Sequence, residues 1–277
     1  MTELPVWQVD LYVDGPVSIR RRLHTVQQKS FRTDNPFYSD IEIQPIPSGL
    51  RATATARATD VELAYKAAVF FFGRMLDVLT LQINRPMYLS LGEGERTRGG
   101  RHDVRRLVEQ QELEEAFREA RRLETTRQSF LRALGWYRKG LCGDDPFDKF
   151  LAFWNSIEAV ASKYYQHIPT IDQERARKGS KSQFWECFKA LWGSPEEWPV
   201  IAGQTDWIDK SYDTRIGIAH GVTAIDVHTV AEVVGRLKTI EGVAYAFLRG
   251  WHDRFLYLSE EPETINLDMV NEALLVQ

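Results

Sequence analysis

The feature that most constrains this chain is a change of hydrophobic period partway along it. In "WQVDLYVDG" the apolar Trp7, Val9, Leu11 and Val13 alternate with polar residues, the two-residue period of a strand with one buried face. "IEIQPIP" repeats the alternation with Ile41, Ile43 and Ile46, and "GLRATATARAT" alternates alanine with larger polar residues. Alanines on a buried strand face predict a helix packed close over it. From Asp60 the period lengthens. "DVELAYKAAVFFFGRMLDVLTLQI" predicts a helix capped by Asp60, and Asn84-Arg85-Pro86 should end it. "MYLSL" reads as a returning strand. From about Val104 onward helical spacing takes over almost completely. Such a chain is predicted to be α+β, with an N-terminal mixed α/β module followed by an all-α helical bundle. The Gly- and Arg-rich "GEGERTRGGRH" (Gly92–His102) marks the boundary. It divides the chain into an N-terminal module, residues 1–100, and a helical domain, residues 101–277. Its glycines do not have dinucleotide-fingerprint spacing, so it reads as a linker.

Within the helical part, "VRRLVEQQELEEAFREARRLETTRQSFLRALGWYRKGL" predicts one long or broken helix with an apolar stripe through Leu123, Phe130, Leu131, Leu134 and Tyr137. Gly143 and Asp145-Pro146 then provide a stop and a start. The next helix should bury Phe147, Phe150, Leu151, Trp154, Ile157 and Ala161. Shorter helices are expected over "QFWECFKALWG" and "TDWIDKSYDTRIGIAHG". A last one runs from about Ile225 to Tyr257, with Val227, Val230, Val234, Leu237, Phe247, Trp251 and Phe255 at helical spacing.

The balance of 35 Lys and Arg against 39 Asp and Glu gives a net charge of −4. There is therefore no global attraction to polyanions, and any nucleic-acid contact must come from a local basic patch. The most apolar stretch, around "AYKAAVFFFGRMLDVL", contains Lys66, Arg74 and Asp77 and is too short and charged to span a bilayer. The start shows no basic segment followed by an apolar one. The two cysteines, Cys142 and Cys187, have no metal-ligand spacing and suit a reducing compartment. A cytoplasmic protein, off the membrane, without metal or cofactor, is the expectation. No HExxH or GxSxG motif is present.

The chemistry-bearing stretch is "YDTRIGIAHG", Tyr212 to Gly221. It holds a permanent cation, Arg215, and a titratable base, His220. Five residues turn a helix by roughly 500°, leaving the two side chains roughly 140° apart. They converge only if the helix ends between them or if two copies meet. Gly217 and Gly221 make a local ending reasonable. Histidine can move a proton and arginine can hold phosphate oxygens, a combination suited to phosphodiester cleavage. The plain alternative is a helix-closing histidine beside an arginine paired with a carboxylate. Glu158, eight residues after Phe150, is expected to make an ion pair, with Arg215 a candidate partner. Tyr212, one turn before Arg215, either packs in the core with its hydroxyl at the rim or touches substrate. Arg175, Arg177, Lys178 and Lys181 form a basic loop that could meet RNA. The mixed-sign run from Glu112 to Lys139 reads as a solvated helix face.

These motifs carry a family resemblance. Tyr212-x-x-Arg215-x-x-x-x-His220-Gly221 resembles the signature of the HEPN superfamily. "ALGWYRKGLCGDDPFDKFLAFWNSIEAV" (Ala133–Val160) is similar to its Apea-like branch. A mixed α/β region ahead of such a domain resembles proteins of the methylamine-utilisation J type. The similarity covers roughly the C-terminal two-thirds of the chain. It implies an up-and-down helical bundle that forms a homodimer through the helical domain. It also implies metal-independent cleavage of single-stranded RNA in defence or stress, leaving a cyclic phosphate. Carried over, Arg215 would hold the scissile phosphate and His220 would be the acid and base. The chain departs from the family's strongest form at Ile216, where active members often carry a polar residue, and at Val222, which argues against the branch paired with nucleotidyltransferase antitoxins. The alternative implied is a member that keeps the fold and binds nucleotides, RNA or protein partners without cutting.

Overall fold

The computed structural model describes residues 4–32, 35–90, 102–220 and 226–257; for 28–32 and 35–39 it describes the backbone only. The protein is α+β. Five strands form one antiparallel sheet in the order β3-β4-β5-β1-β6. They are β1 (Val6–Asp14), β3 (Leu23–Arg32), β4 (Asn35–Ile46), β5 (Gly49–Arg57) and β6 (Tyr88–Ser90). Two short strands, β2 (Val17–Ser18) and β7 (Arg106–Leu107), pair in parallel beside it.

The expected alternation sets the register. Val9, Leu11 and Val13 of β1 stand opposite Ala54, Ala52 and Leu50 of β5. All six are buried. Helix α1 (Val61–Ile83) touches both strands, and the alanine face lets it approach closely. Asp60 caps it, its carboxylate accepting from the Leu63 N–H at 2.8 Å. Asn84 ends it in the left-handed region, φ 48° and ψ 55°, a conformation that asparagine tolerates better than most residues. The third strand, β3, was not foreseen: "LHTVQQKSFR" is polar and lacks clean alternation. It forms because hairpin pairing with β4, Leu23 opposite Ile43 and Thr25 opposite Ile41, satisfies its backbone.

The sheet and the bundle share a core through α1. Its buried residues run without interruption from Phe71 to Leu81, apart from Arg74, because a helix covered on every side is apolar all round. It contacts the sheet on one side and helices α2 (Gln110–Thr126), α3 (Gln128–Cys142) and α8 (Val227–Arg254) on the other. The Gly- and Arg-rich segment expected to be a linker lies, but for His102, outside the described residues.

The long helical stretch after Val104 is broken. Its first residues make β7, and Arg127, at φ −146° and ψ 53°, separates α2 from α3. The break aims the Arg127 side chain inward, where its Nε donates to the Leu256 carbonyl at 2.8 Å. Helix α4 (Pro146–Tyr164) starts as expected, with Asp145 accepting from the Phe147 and Asp148 N–H groups. Phe150, Trp154, Ile157 and Ala161 are buried, while Phe147 and Leu151 are only half-buried. A 3-10 turn (Tyr165–His167) and the single-turn α5 (Gln173–Ala176) follow α4, before α6 (Ser180–Trp192) and α7 (Trp207–His220). Trp154, Phe184, Phe188, Trp198, Phe247 and Trp251 fill the centre of the bundle. The apolar face expected for α8 needs correction at its N-terminal end. Val227 is 82% exposed and Val234 51%, and Val233 and Ile240 face the core instead. Among the described residues, no helix is long and apolar enough to cross a membrane.

Candidate functional site

Helix α7 carries the candidate residues. Trp207, Ile208 and Ser211 are its buried positions. Counting about 100° per residue from them puts Arg215 on the same face and His220 roughly 140° away. The helix is continuous from Trp207 to His220, so no break brings the two side chains together within one copy. Gly217 sits inside this helix; Gly221 and Val222 lie outside the described residues.

Arg215 faces α4. Its Nη2 is 3.7 Å from Glu158 Oε2, and the two side chains are 27% and 24% exposed. At that separation the contact is an ion pair without a hydrogen bond. The Arg215 Nε is buried and has no hydrogen-bond partner. The guanidinium is thus placed and partly desolvated, and because its Nε is buried an anion can reach it only through the terminal nitrogens. One turn earlier on both helices, the Tyr212 ring meets Trp154 edge-on with centroids 6.0 Å apart. Trp154 in turn stacks on Phe184 at 4.4 Å. The Trp154 Nε1 is buried without a partner. Tyr212 is half-buried, and Lys181 lies over its ring, 4.8 Å from the centroid. Tyr212 therefore supports the packing under Arg215. His220 is exposed at the last residue of the helix.

The four cations of the basic loop are engaged differently. Lys181 is held 2.9 Å from Asp209 and 3.3 Å from Asp213, and the hydrogen bond to Asp209, joined by that to Asp213, raises its pKa above the usual lysine value against the opposing effect of burial. Arg175 Nη1 is 3.3 Å from the buried Glu186 and lies over the Trp185 ring. Arg177 and Lys178 are exposed, with no ion pair among the described residues. The outer face of α7 carries Asp209 and Asp213, with Asp206 just before its start, which weakens the local positive field. The net effect is two guanidiniums placed by carboxylates, Arg215 and Arg175, and two exposed cations, Arg177 and Lys178.

Sequence reasoning missed a groove of about 500 Å3 on the other side of α7. It runs between α7, the first half of α8 and the start of α4. Phe147, Thr214, Gly217, Ile218, Val233 and Arg236 line it. Arg236 donates to Glu232 at 2.7 Å, while its Nε is buried with no partner. The signal was present as Thr214, Gly217 and Ile218 at helical spacing, but nothing in the sequence said that α8 would lie across them. His220 stands roughly 60° around the helix from Gly217, on this side. Beyond the groove, Val227, Val230, Ala231 and Val234 form an open apolar surface on α8.

Among the described residues no three His, Cys, Asp or Glu side chains gather as a metal centre needs. Cys187 is buried and Cys142 half-buried, both as free thiols, and burial pushes the Cys187 pKa up. Compared with known proteins, the chain matches no family model, no curated protein and no solved structure.

Proposed function

We propose that this protein is a metal-independent endoribonuclease of the HEPN type, acting in the cytoplasm as a homodimer in defence or stress. The observation that carries this reading is the state of Arg215. It is oriented by Glu158 at 3.7 Å, a quarter exposed, and short of hydrogen bonds, on an unbroken helix that ends in the exposed His220. Because one copy holds the two groups on different faces, the chemistry requires a second copy, whose α7 supplies the complementary pair. The apolar surface of Val227, Val230, Ala231 and Val234, next along the chain from the end of α7, is a suitable place for that copy to bury area.

In this reading the scissile phosphate of a single-stranded RNA replaces Glu158 as the anion on Arg215. An imidazole takes the proton from the ribose 2′-hydroxyl, and that oxygen attacks phosphorus. The bond from phosphorus to the 5′-oxygen breaks, and the imidazole of the second copy protonates the leaving oxygen. A 2′,3′-cyclic phosphate and a 5′-hydroxyl result. Arg215 stabilises the charge that grows on the non-bridging oxygens. The test incubates the purified protein with mixed RNAs, with and without chelator, beside Arg215→Ala and His220→Ala. Chelator-resistant cleavage by the wild type alone supports the reading. An inert wild type, or variants as active as the wild type, overturns it.

One observation favours a second reading, nucleotide or RNA binding without cleavage. Ile216, beside Arg215, is half-buried and has no hydrogen-bonding side chain, so the site lacks a polar neighbour for the phosphate. A thermal-shift screen with nucleotides separates the two: stabilisation of an inert wild type that Arg215→Ala abolishes supports binding alone.

A further inference from the structure

At the opposite end of α8 lies a cluster that the proposed reaction does not use. His252 Nε2 is 3.1 Å from Glu119 Oε1 of α2, and its Nδ1 is 2.9 Å from Asp253 Oδ1. Glu119 also accepts from the Tyr257 hydroxyl and lies 3.8 Å from Arg122. The Arg122 guanidinium stacks on the Tyr257 ring, 3.4 Å from its centroid. Next to it the buried Arg127 holds the Leu256 carbonyl. We propose that this cluster is a pH-gated clasp: charged His252 fastens residues 252–257 to α2, and neutral His252 loosens them.

The geometry carries the inference. A neutral imidazole has one N–H and can donate to only one of two carboxylates. His252 faces a carboxylate at each nitrogen, so only the imidazolium satisfies both contacts. A histidine already engaged on both sides is not a free base, which argues for a fastening role over catalysis. The groups around it are charge-balanced. Glu112, Glu115, Arg118, Glu119 and Arg122 face the cluster from α2, and Arg249 and Asp253 from α8. Arg127 stands at the start of α3, and Tyr257 follows α8. Uncharged neighbours include Gln82 of α1, on the cavity wall, and the Phe130 ring, 5.9 Å from the imidazole. A cavity of about 440 Å3 opens beside His252 and Glu119, and the His252 side chain is 26% exposed. Water can therefore reach the imidazole and exchange its proton.

The electrostatics agree with the geometry and set the window. Burial opposes charging His252, but the hydrogen bonds to Glu119 and Asp253 outweigh it and raise its pKa above the usual histidine value. Burial likewise opposes ionising Glu119, but His252, Tyr257 and Arg122 hold its pKa below the usual carboxylate value. A raised histidine contributes stability below its unfolded pKa and loses it as pH rises through the folded one. A depressed carboxylate contributes above its unfolded pKa and loses it as pH falls through the folded one. The clasp is therefore firmest between the carboxylate range and the raised His252 pKa, and opens on the alkaline side by loss of the His252 proton.

The test uses the full chain. Imidazole proton resonances are followed from about pH 5.5 to about pH 9 to obtain the His252 titration. Over the same range, amide exchange at residues 252–257 is measured and corrected for its intrinsic pH dependence. The clasp predicts that protection there falls about tenfold on the alkaline side, with the midpoint of the His252 titration. Exchange in α4 should not follow it. His252→Gln should exchange at these residues with no such pH dependence, and Glu119→Gln should bring the His252 titration down toward an ordinary histidine. Protection that stays flat in the wild type overturns the proposal, as does a fall in His252→Gln equal to that of the wild type. Should His252→Gln fail to fold, the wild-type curves decide alone: different midpoints for protection and titration overturn the clasp.

Discussion

Two arginine–carboxylate pairs in this protein use the same chemistry to different ends. Arg138 of α3 donates to Asp77 of α1 at 2.6 Å, and the Asp77 side chain is 5% exposed. Arg74 stands 3.7 Å from the other carboxylate oxygen, and Arg138 also donates to the Met87 carbonyl at 3.2 Å. Gly135 makes room: a Cβ there would lie 3.3 Å from Asp77 Oδ2. The pair is short, its carboxylate is walled in, and Arg138 spends its Nε and Nη1 on protein acceptors. It joins α1, the helix that lies on the sheet, to α3 of the bundle. The Arg215–Glu158 pair is longer, about a quarter exposed on both sides, and leaves a buried guanidinium nitrogen without a partner. The two arginine side chains are similarly exposed, 20% and 27%, so what separates a structural arginine from an available one is how tightly its donors are engaged and how deeply its carboxylate is buried. The presence of a carboxylate beside it decides little.

The comparison can be broken at several points. Asp77→Ala should have the largest effect, about 3–5 kcal/mol of unfolding free energy, because it leaves Arg138 facing a hole in the core. Denaturant unfolding measures it, and a loss near zero would remove the distinction between the pairs. Burial raises the Asp77 pKa against the opposing pull of Arg138 and Arg74. A carboxylate whose folded pKa is raised favours folding more as pH falls through that value. Asp77→Asn, which removes the buried charge and keeps the shape, should therefore cost less than Asp77→Ala.

Next comes Arg215→Ala. It should reduce RNA cleavage at least about 100-fold, the usual effect of losing a charge-stabilising donor. Its stability cost should stay within about 1 kcal/mol, as expected for a loose, partly exposed pair. A large stability loss with no change in activity would place Arg215 beside Arg138 as a structural residue. Gly140→Ala is a packing control within the bundle. Its Cβ would come 2.6 Å from the Phe153 ring, and overpacking of this kind costs about 1–3 kcal/mol. The smallest effects are expected for Glu158→Gln and His220→Ala in thermal unfolding, each within about 0.5 kcal/mol. They should differ in the cleavage assay, where His220→Ala is inactive and Glu158→Gln is not. Equal activities for those two variants would remove the assigned roles.

Much of the fold was legible because its signals are local. Asp60 and Asp145 have short side chains that can satisfy helix N–H groups two or three residues away, so their caps could be read without any tertiary contact. Alternating Val9, Leu11 and Val13, opposite the alanines of β5, gave the buried strand face and anticipated a close helix. What failed locally was the polar β3, whose pairing with β4 supplies its order, and the break at Arg127, whose side chain finds the Leu256 carbonyl 129 residues further on.

The candidate site divides along the same line. The spacing of Arg215 and His220, and hence their divergence on any intact helix, follows from residue order alone, because helix geometry is a property of neighbouring residues. Residue order also placed Glu158 on a helix face able to meet an arginine. Only the tertiary structure decided that α7 continues unbroken to His220, that α4 lies against Arg215, and that Lys181 is held by Asp209 and Asp213. It alone turned Val227 and Val234 outward and brought His252 to Glu119. These outcomes depend on which helix faces which, and that is settled by burying the whole core at once, which no single stretch of sequence encodes.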